Sequence, residues 1–155
     1  MPNYKGHLIG GLIAYLSIIA VCISIRPSLV TSCEWLFFTL AGALFPDIDV
    51  KSKGQKYFYY IIFILFFCLM YQGKFQLLSC LSFITITPML SRHRGVFHSV
   101  WLIVLMPIVL WGFISMLFPY LMKPLLINTL FFIVGGLSHI LLDCSMSWIV
   151  RTSGR

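Results

Sequence analysis

Long runs of apolar residues recur along this chain and place it in a membrane. The chain has 155 residues, of which 60% are hydrophobic and 10% are charged, whereas soluble domains carry about 25% charged residues. A helix needs about 20 apolar residues to cross the hydrocarbon core of a bilayer. The runs therefore favour an all-α, polytopic bundle of membrane helices. We expect residues 1–155 to form a single membrane-embedded domain, because no further stretch is long enough for a second one.

Charged residues, glycines and prolines divide the chain into about six apolar spans, with five as the alternative count. The third run is short for a span, and Ala41-Gly42-Ala43 gives the second run a slim end suited to close helix packing. The predicted spans cover residues 8–25, 29–45, 57–71 and 75–90, then a fifth that ends at 118, and 125–150.

The net charge of +7 is carried by residues between the apolar runs, and it predicts the orientation of the chain. With six spans, one side of the membrane holds most of the basic residues, and the positive-inside rule makes that side cytoplasmic. Both termini would then be cytoplasmic. The chain has no separate basic domain, so we expect contact with lipid headgroups and no nucleic-acid binding. The cytoplasmic basic residues would be Lys5, Lys51, Lys53, Lys56, Arg92, Arg94, Arg151 and Arg155, opposite Arg26, Lys74 and Lys123.

His139 and Asp143 lie inside the last apolar run, four residues apart. On a helix this spacing puts both side chains on one face. A carboxylate near the middle of a membrane helix costs about 2.5–3.5 kcal/mol on insertion scales. A metal ion would compensate this cost, and so would a hydrogen bond between the two side chains. Gly135, one turn earlier, leaves room on the same face for a neighbouring helix.

All four histidines, and three of the four acidic residues, fall into four such groups. With six spans, each group lies at the cytoplasmic end of its helix. Imidazole and carboxylate together suit zinc, and also manganese or iron. Seven ligands exceed the need of one tetrahedral ion, so we expect more than one ion, with an aspartate as a bridge. The candidate metal ligands are His7, Asp47, Asp49, His93, His98, His139 and Asp143.

Each group also has a plainer interpretation. His7 could be a polar residue flanking a span, and Asp47 and Asp49 could cap the next helix. His93 and His98 are five residues apart and would diverge on one continuous helix, so they converge only if the chain breaks between them.

The four groups resemble, in order and in spacing, the motifs of the membrane-bound metal-dependent hydrolase family, also called YdjM-like. The resemblance covers almost the whole chain, and it implies a location in the bacterial inner membrane. It implies a ligand set similar to those of zinc-dependent phospholipase C and P1 nuclease, which are all-helical enzymes that cleave phosphate esters. The matching segments are His7 with Gly10-Gly11, Phe45-Pro46-Asp47-Ile48-Asp49, His93-Arg94-Gly95-Val96-Phe97-His98-Ser99, and Ser138-His139 with Asp143.

The expected function is therefore hydrolysis of a phosphoester in a lipid or lipid-linked substrate. The metal would lower the pKa of a bound water toward about 7. Asp47 or Asp49 would bridge metals or take the proton of this water, and Arg94 would stabilise the charge of the phosphorane. Ser99 and Ser138 would orient imidazoles. The alternative is a non-enzymatic membrane protein with a structural or transported metal.

Overall fold

The computed structural model is helical throughout the part of the chain that it describes. That part comprises residues 4–21, 26–49, 53–73 and 99–153, with residues 75, 78, 79 and 82 between them. The helices are α1 (Tyr4–Val21), α2 (Leu29–Leu44), a 3₁₀ helix (Phe45–Asp49), α3 (Lys53–Tyr71), α4 (Val100–Leu117), a second 3₁₀ helix (Pro119–Leu121) and α5 (Met122–Ser153). The predicted all-α class is confirmed.

Four segments of these helices are long and apolar enough to cross a membrane. The prediction of about six spans is not confirmed: Tyr59–Tyr71 is a shorter apolar helix, and most of the predicted span 75–90 lies outside the described residues. The four segments are Tyr4–Val21, Leu29–Asp47, Val100–Leu117 and Pro119–Ser145.

Large apolar side chains cover the outer faces of these helices. On α1, Ile9, Ile13 and Leu16 are each more than half exposed, and on α4 Val109 is 67% exposed. Apolar patches of this extent are rare on soluble monomers and mark a surface that meets another apolar phase. Lipid hydrocarbon covers such faces in a membrane.

The helix boundaries have local causes. Ser28 caps α2, because its hydroxyl accepts a hydrogen bond from the Thr31 N–H at 3.2 Å. The chain then tightens into the 3₁₀ helix before Pro46, and α3 begins at Lys53. The basic segment that we predicted as a loop therefore ends earlier than expected, and Lys53 and Lys56 lie in the first turn of α3.

The core of the bundle is a backbone-to-backbone contact between α2 and α5. A β-carbon added at Gly42 would overlap the carbonyl of Phe132, and one added at Gly135 would overlap the carbonyl of Thr39. Small residues allow this close approach of membrane helices, as the sequence predicted for both glycines. Trp35 stacks on Phe131 and the Ala43 carbonyl contacts His139, so residue numbers increase in the same direction along both helices and α2 and α5 run parallel.

An aromatic cluster joins three helices away from this contact. Trp35 of α2 stacks on Phe131 of α5 with ring centroids 4.9 Å apart, and Tyr15 of α1 packs against the same ring. The Tyr15 hydroxyl donates to the carbonyl of Ser32 at 3.1 Å. These contacts fix α1 against α2 and α5, with the N-terminal end of α1 directed toward the C-terminal end of α2.

Candidate metal centre

Two histidines and two aspartates from three parts of the chain meet at one end of the bundle. His7 comes from the second turn of α1, Asp47 from the 3₁₀ helix after α2, and His139 and Asp143 from α5. His7 Nε2 lies 3.9 Å from an Asp47 carboxylate oxygen and 3.7 Å from an Asp143 oxygen. His139 Nε2 lies 3.7 Å and 3.5 Å from the other oxygens of the same two carboxylates. Both imidazoles therefore face the same pair of carboxylates.

The two imidazole rings are stacked, and a backbone carbonyl orients one of them. The ring centroids of His7 and His139 are 3.7 Å apart with 13° between the ring planes. His139 Nδ1 lies 2.7 Å from the carbonyl oxygen of Ala43. A carbonyl only accepts, so Nδ1–H is the donor, and in the neutral ring Nε2 carries the lone pair. This lone pair is directed toward the carboxylates.

Pro46 explains why the Ala43 carbonyl is available to His139. In a 3₁₀ helix each N–H bonds to the carbonyl three residues earlier, and the N–H of Phe45 indeed bonds to Gly42 in this way. The next donor in this pattern would be residue 46, which is a proline and has no N–H. The Ala43 carbonyl is therefore left for a side chain, and the close contact of α2 with α5 brings His139 within reach.

The spacing inside the cluster suits an ion better than direct hydrogen bonds. The four nitrogen–oxygen distances lie between 3.5 and 3.9 Å, beyond the 2.7–3.2 Å of an N–H···O bond. Ligands of one tetrahedral zinc, each about 2.0–2.2 Å from the ion, are about 3.4 Å apart. One atom each of His7, Asp47 and His139 lie within 4.8 Å of one another. The donors, two imidazoles and two carboxylates, are the types that zinc accepts.

Burial differs between the two kinds of ligand. The side chains of His7 and His139 are 2% and 0% exposed, while those of Asp47 and Asp143 are 27% and 15% exposed. The imidazoles thus lie on the buried side of the cluster, and the carboxylates lie on its exposed side. Among these four described side chains, the carboxylates are the ones that a small molecule or headgroup could reach.

The remaining predicted site residues are not placed by the structure. His93, Arg94 and His98 lie outside the described residues. Asp49 ends the 3₁₀ helix, but its side chain is likewise outside them. Because α3 begins only at Lys53, Asp47 is not in a position to cap it, and the plainer interpretation of this residue does not hold.

Two polar contacts differ from the sequence prediction. The Ser138 hydroxyl, expected to orient an imidazole, donates to the carbonyl of Gly135 in its own helix at 2.7 Å. The Ala43 carbonyl takes the orienting role for His139, and the sequence prediction did not include it. The available signal was the proline three residues after Ala43, which removes the usual donor to this carbonyl.

The fold and the cluster together define a class of protein: a multispanning helical membrane protein with a buried histidine–aspartate cluster at one end. Comparison with known families agrees with this class. The chain matches the family described as YdjM inner membrane protein over residues 1–151 and belongs to that family. The search of curated proteins and the search of solved structures gave no match.

Proposed function

We propose that this inner membrane protein is a metal-dependent hydrolase that cleaves a phosphoester in a lipid or lipid-linked substrate. The observation that carries the proposal is the cluster of His7, Asp47, His139 and Asp143. Its nitrogen–oxygen distances of 3.5–3.9 Å fit donors that share a divalent ion. Its two imidazoles are buried in an apolar bundle, where polar side chains require compensating partners.

His7 and His139 would hold the ion through imidazole nitrogens, together with a carboxylate oxygen of the cluster, which leaves a position for water. Zinc supplies Lewis acidity and lowers the pKa of a bound water to about 7, which favours attack on phosphorus at neutral pH. Asp47 is the most exposed of the four, so its carboxylate is the best placed to accept a proton from an entering water. The Ala43 carbonyl holds His139 in one orientation and strengthens it as a ligand.

The ligands predicted from the sequence but not described by the structure complete the proposal. Asp49, His93 and His98 would hold a second ion, with an aspartate shared between the two. Arg94 would contact the phosphoryl oxygens, because a guanidinium binds two of them at once. Manganese and iron accept the same donors and remain alternatives to zinc.

The partial exposure of both carboxylates favours catalytic over purely structural use of the ion. Structural zinc sites are closed by four protein ligands, whereas catalytic sites keep one position for water or substrate. A cluster with open carboxylates on one side admits such a position. Its place at one end of the bundle would let a lipid phosphate reach it from the membrane surface.

The test is release of phosphate from phosphatidate and from a prenyl diphosphate by zinc-loaded, detergent-purified protein. We expect turnover by the wild type and a loss of at least 100-fold in kcat for Asp143→Asn, which keeps the shape of the side chain and removes its charge. Cys144→Ser, at the exposed neighbouring position, is the matched control and should keep full activity. Absence of turnover on all phosphoesters by wild-type protein with bound zinc would refute the proposal.

A further inference from the structure

We infer that a cavity beside the cluster binds the hydrocarbon chain of a lipid phosphate whose headgroup reaches the metal ligands. The inference rests on the proposed function for the role of the headgroup. The cavity has a volume of about 370 Å³, within the range of small-molecule sites. Residues of four helices line it, among them Ala41, Phe45, Ile62, Leu110, Trp111 and Phe132.

The wall of the cavity offers apolar contact alone. Its two side chains with polar atoms use them within the protein. The Trp111 indole N–H donates to the carbonyl of Met122 at 2.9 Å, and the Thr129 hydroxyl donates to the carbonyl of Leu125 at 2.7 Å. A polar ligand would lose its hydrogen bonds to water here without replacement, whereas a hydrocarbon chain would lose none.

The cavity lies where the chain of a bound lipid would have to go. On the α2 side, the lining residue Phe45 is two residues before Asp47. On the α5 side, the lining residue Phe132 is seven residues before His139, which is about 10 Å along a helix. Since α2 and α5 run parallel, both walls extend from the cluster in the same direction. A headgroup at the cluster therefore places its chain along these walls.

Phe45 lines the cavity at the end nearest to the cluster. Its side chain is 3% exposed, and its ring meets that of Phe132 edge to face with centroids 5.3 Å apart. Further from the cluster, the lining residues Phe37, Ile61 and Leu65 are 41–49% exposed. The lining residues are thus buried near the metal ligands and more exposed toward the lipid-facing surface. In a bilayer, hydrocarbon chains are the molecules present on that side, so the occupant is a lipid chain.

The binding test uses phosphatidate with a photoactivatable diazirine in its acyl chain, added to detergent-purified protein with and without excess plain phosphatidate. We expect saturable labelling of peptides that carry Ile62 and Phe132. Leu110→Trp, which fills the cavity, should reduce this labelling at least fivefold. The matched control is Val109→Trp on the same helix, at a position that does not line the cavity and is 67% exposed, and its labelling should match the wild type.

Equal labelling of both tryptophan variants would overturn the inference. Absence of labelling of the cavity peptides in the wild type would also overturn it, because it would mean that another part of the chain fills the cavity. Zinc content, measured on every variant, shows whether the bundle is folded. If Leu110→Trp fails this check, the smaller change Ala41→Leu narrows the same cavity from α2 and should again reduce the labelling.

The catalytic test compares phosphatidates with sixteen-carbon and four-carbon chains. We expect Leu110→Trp to lower kcat/KM at least tenfold more for the long chains than for the short chains. Equal turnover of both chain lengths by every variant would refute the cavity inference and leave the hydrolase standing. Saturable labelling of the wall without release of phosphate from either substrate would refute the hydrolase and leave the chain-binding cavity standing.

Discussion

Gly135→Ala tests whether direct contact between α2 and α5 holds the cluster together. A β-carbon at residue 135 would overlap the backbone carbonyl of Thr39, and backbone atoms cannot rotate away as a side chain can. Overpacking of this kind costs about 1–3 kcal/mol, and the helix preference of alanine returns about 0.5–1 kcal/mol. The net loss should be about 1–2 kcal/mol, or roughly 2–8 °C in Tm for a chain of this size.

The same substitution should weaken metal binding, because moving α5 away from α2 also moves His139 away from Ala43 and Asp47. The assay combines thermal unfolding in detergent with zinc stoichiometry. Gly112→Ala is the matched control: its β-carbon would meet nothing within 4 Å, so it should keep its zinc and gain up to about 1 kcal/mol. The reasoning is refuted if Gly135→Ala is as stable as Gly112→Ala and binds as much zinc.

Two further substitutions address other contacts. Pro46→Ala adds an N–H that competes with His139 for the Ala43 carbonyl. Zinc affinity, measured by titration against a chelator, should therefore fall about 10-fold, which is the lower end for loss of a group that orients a metal ligand. Unchanged zinc affinity would contradict the orienting role of the Ala43 carbonyl. Tyr15→Phe removes a hydrogen bond to α2 and should lower the free energy of unfolding by about 0.5–1.5 kcal/mol, as measured by thermal unfolding. The zinc content should stay unchanged. Loss of zinc would show that the cluster depends on this distant contact.

The sequence was sufficient to predict the helical class and the two glycines at which a neighbouring helix can pack closely. Apolar runs long enough to span a bilayer indicate that the chain folds in lipid, and small residues indicate where the backbones of two helices can come into contact. The beginning of α3 was misplaced because the apolar run begins at Tyr57, whereas the helix extends back through polar residues to Lys53. The composition of a run indicates burial in lipid and does not fix where helical hydrogen bonding begins.

The candidate site was predictable in part for a different reason. His7, Asp47, His139 and Asp143 could be grouped because charged and imidazole side chains are costly in an apolar bundle. The distances between these side chains depend on how closely α2 and α5 approach each other. The spacing of residues along the chain does not determine that approach. The role of the Ala43 carbonyl depends on both a proline and a helix contact, and the apolar cavity depends on the arrangement of four helices.

The most direct test of the account is an anomalous-scattering crystal structure of zinc-loaded protein, with data collected on both sides of the zinc absorption edge. The account predicts a zinc peak about 2.0–2.2 Å from Nε2 of His7 and of His139, in contact with the carboxylates of Asp47 and Asp143. A structure with these side chains hydrogen-bonded directly to one another, and no zinc peak between them, would contradict it.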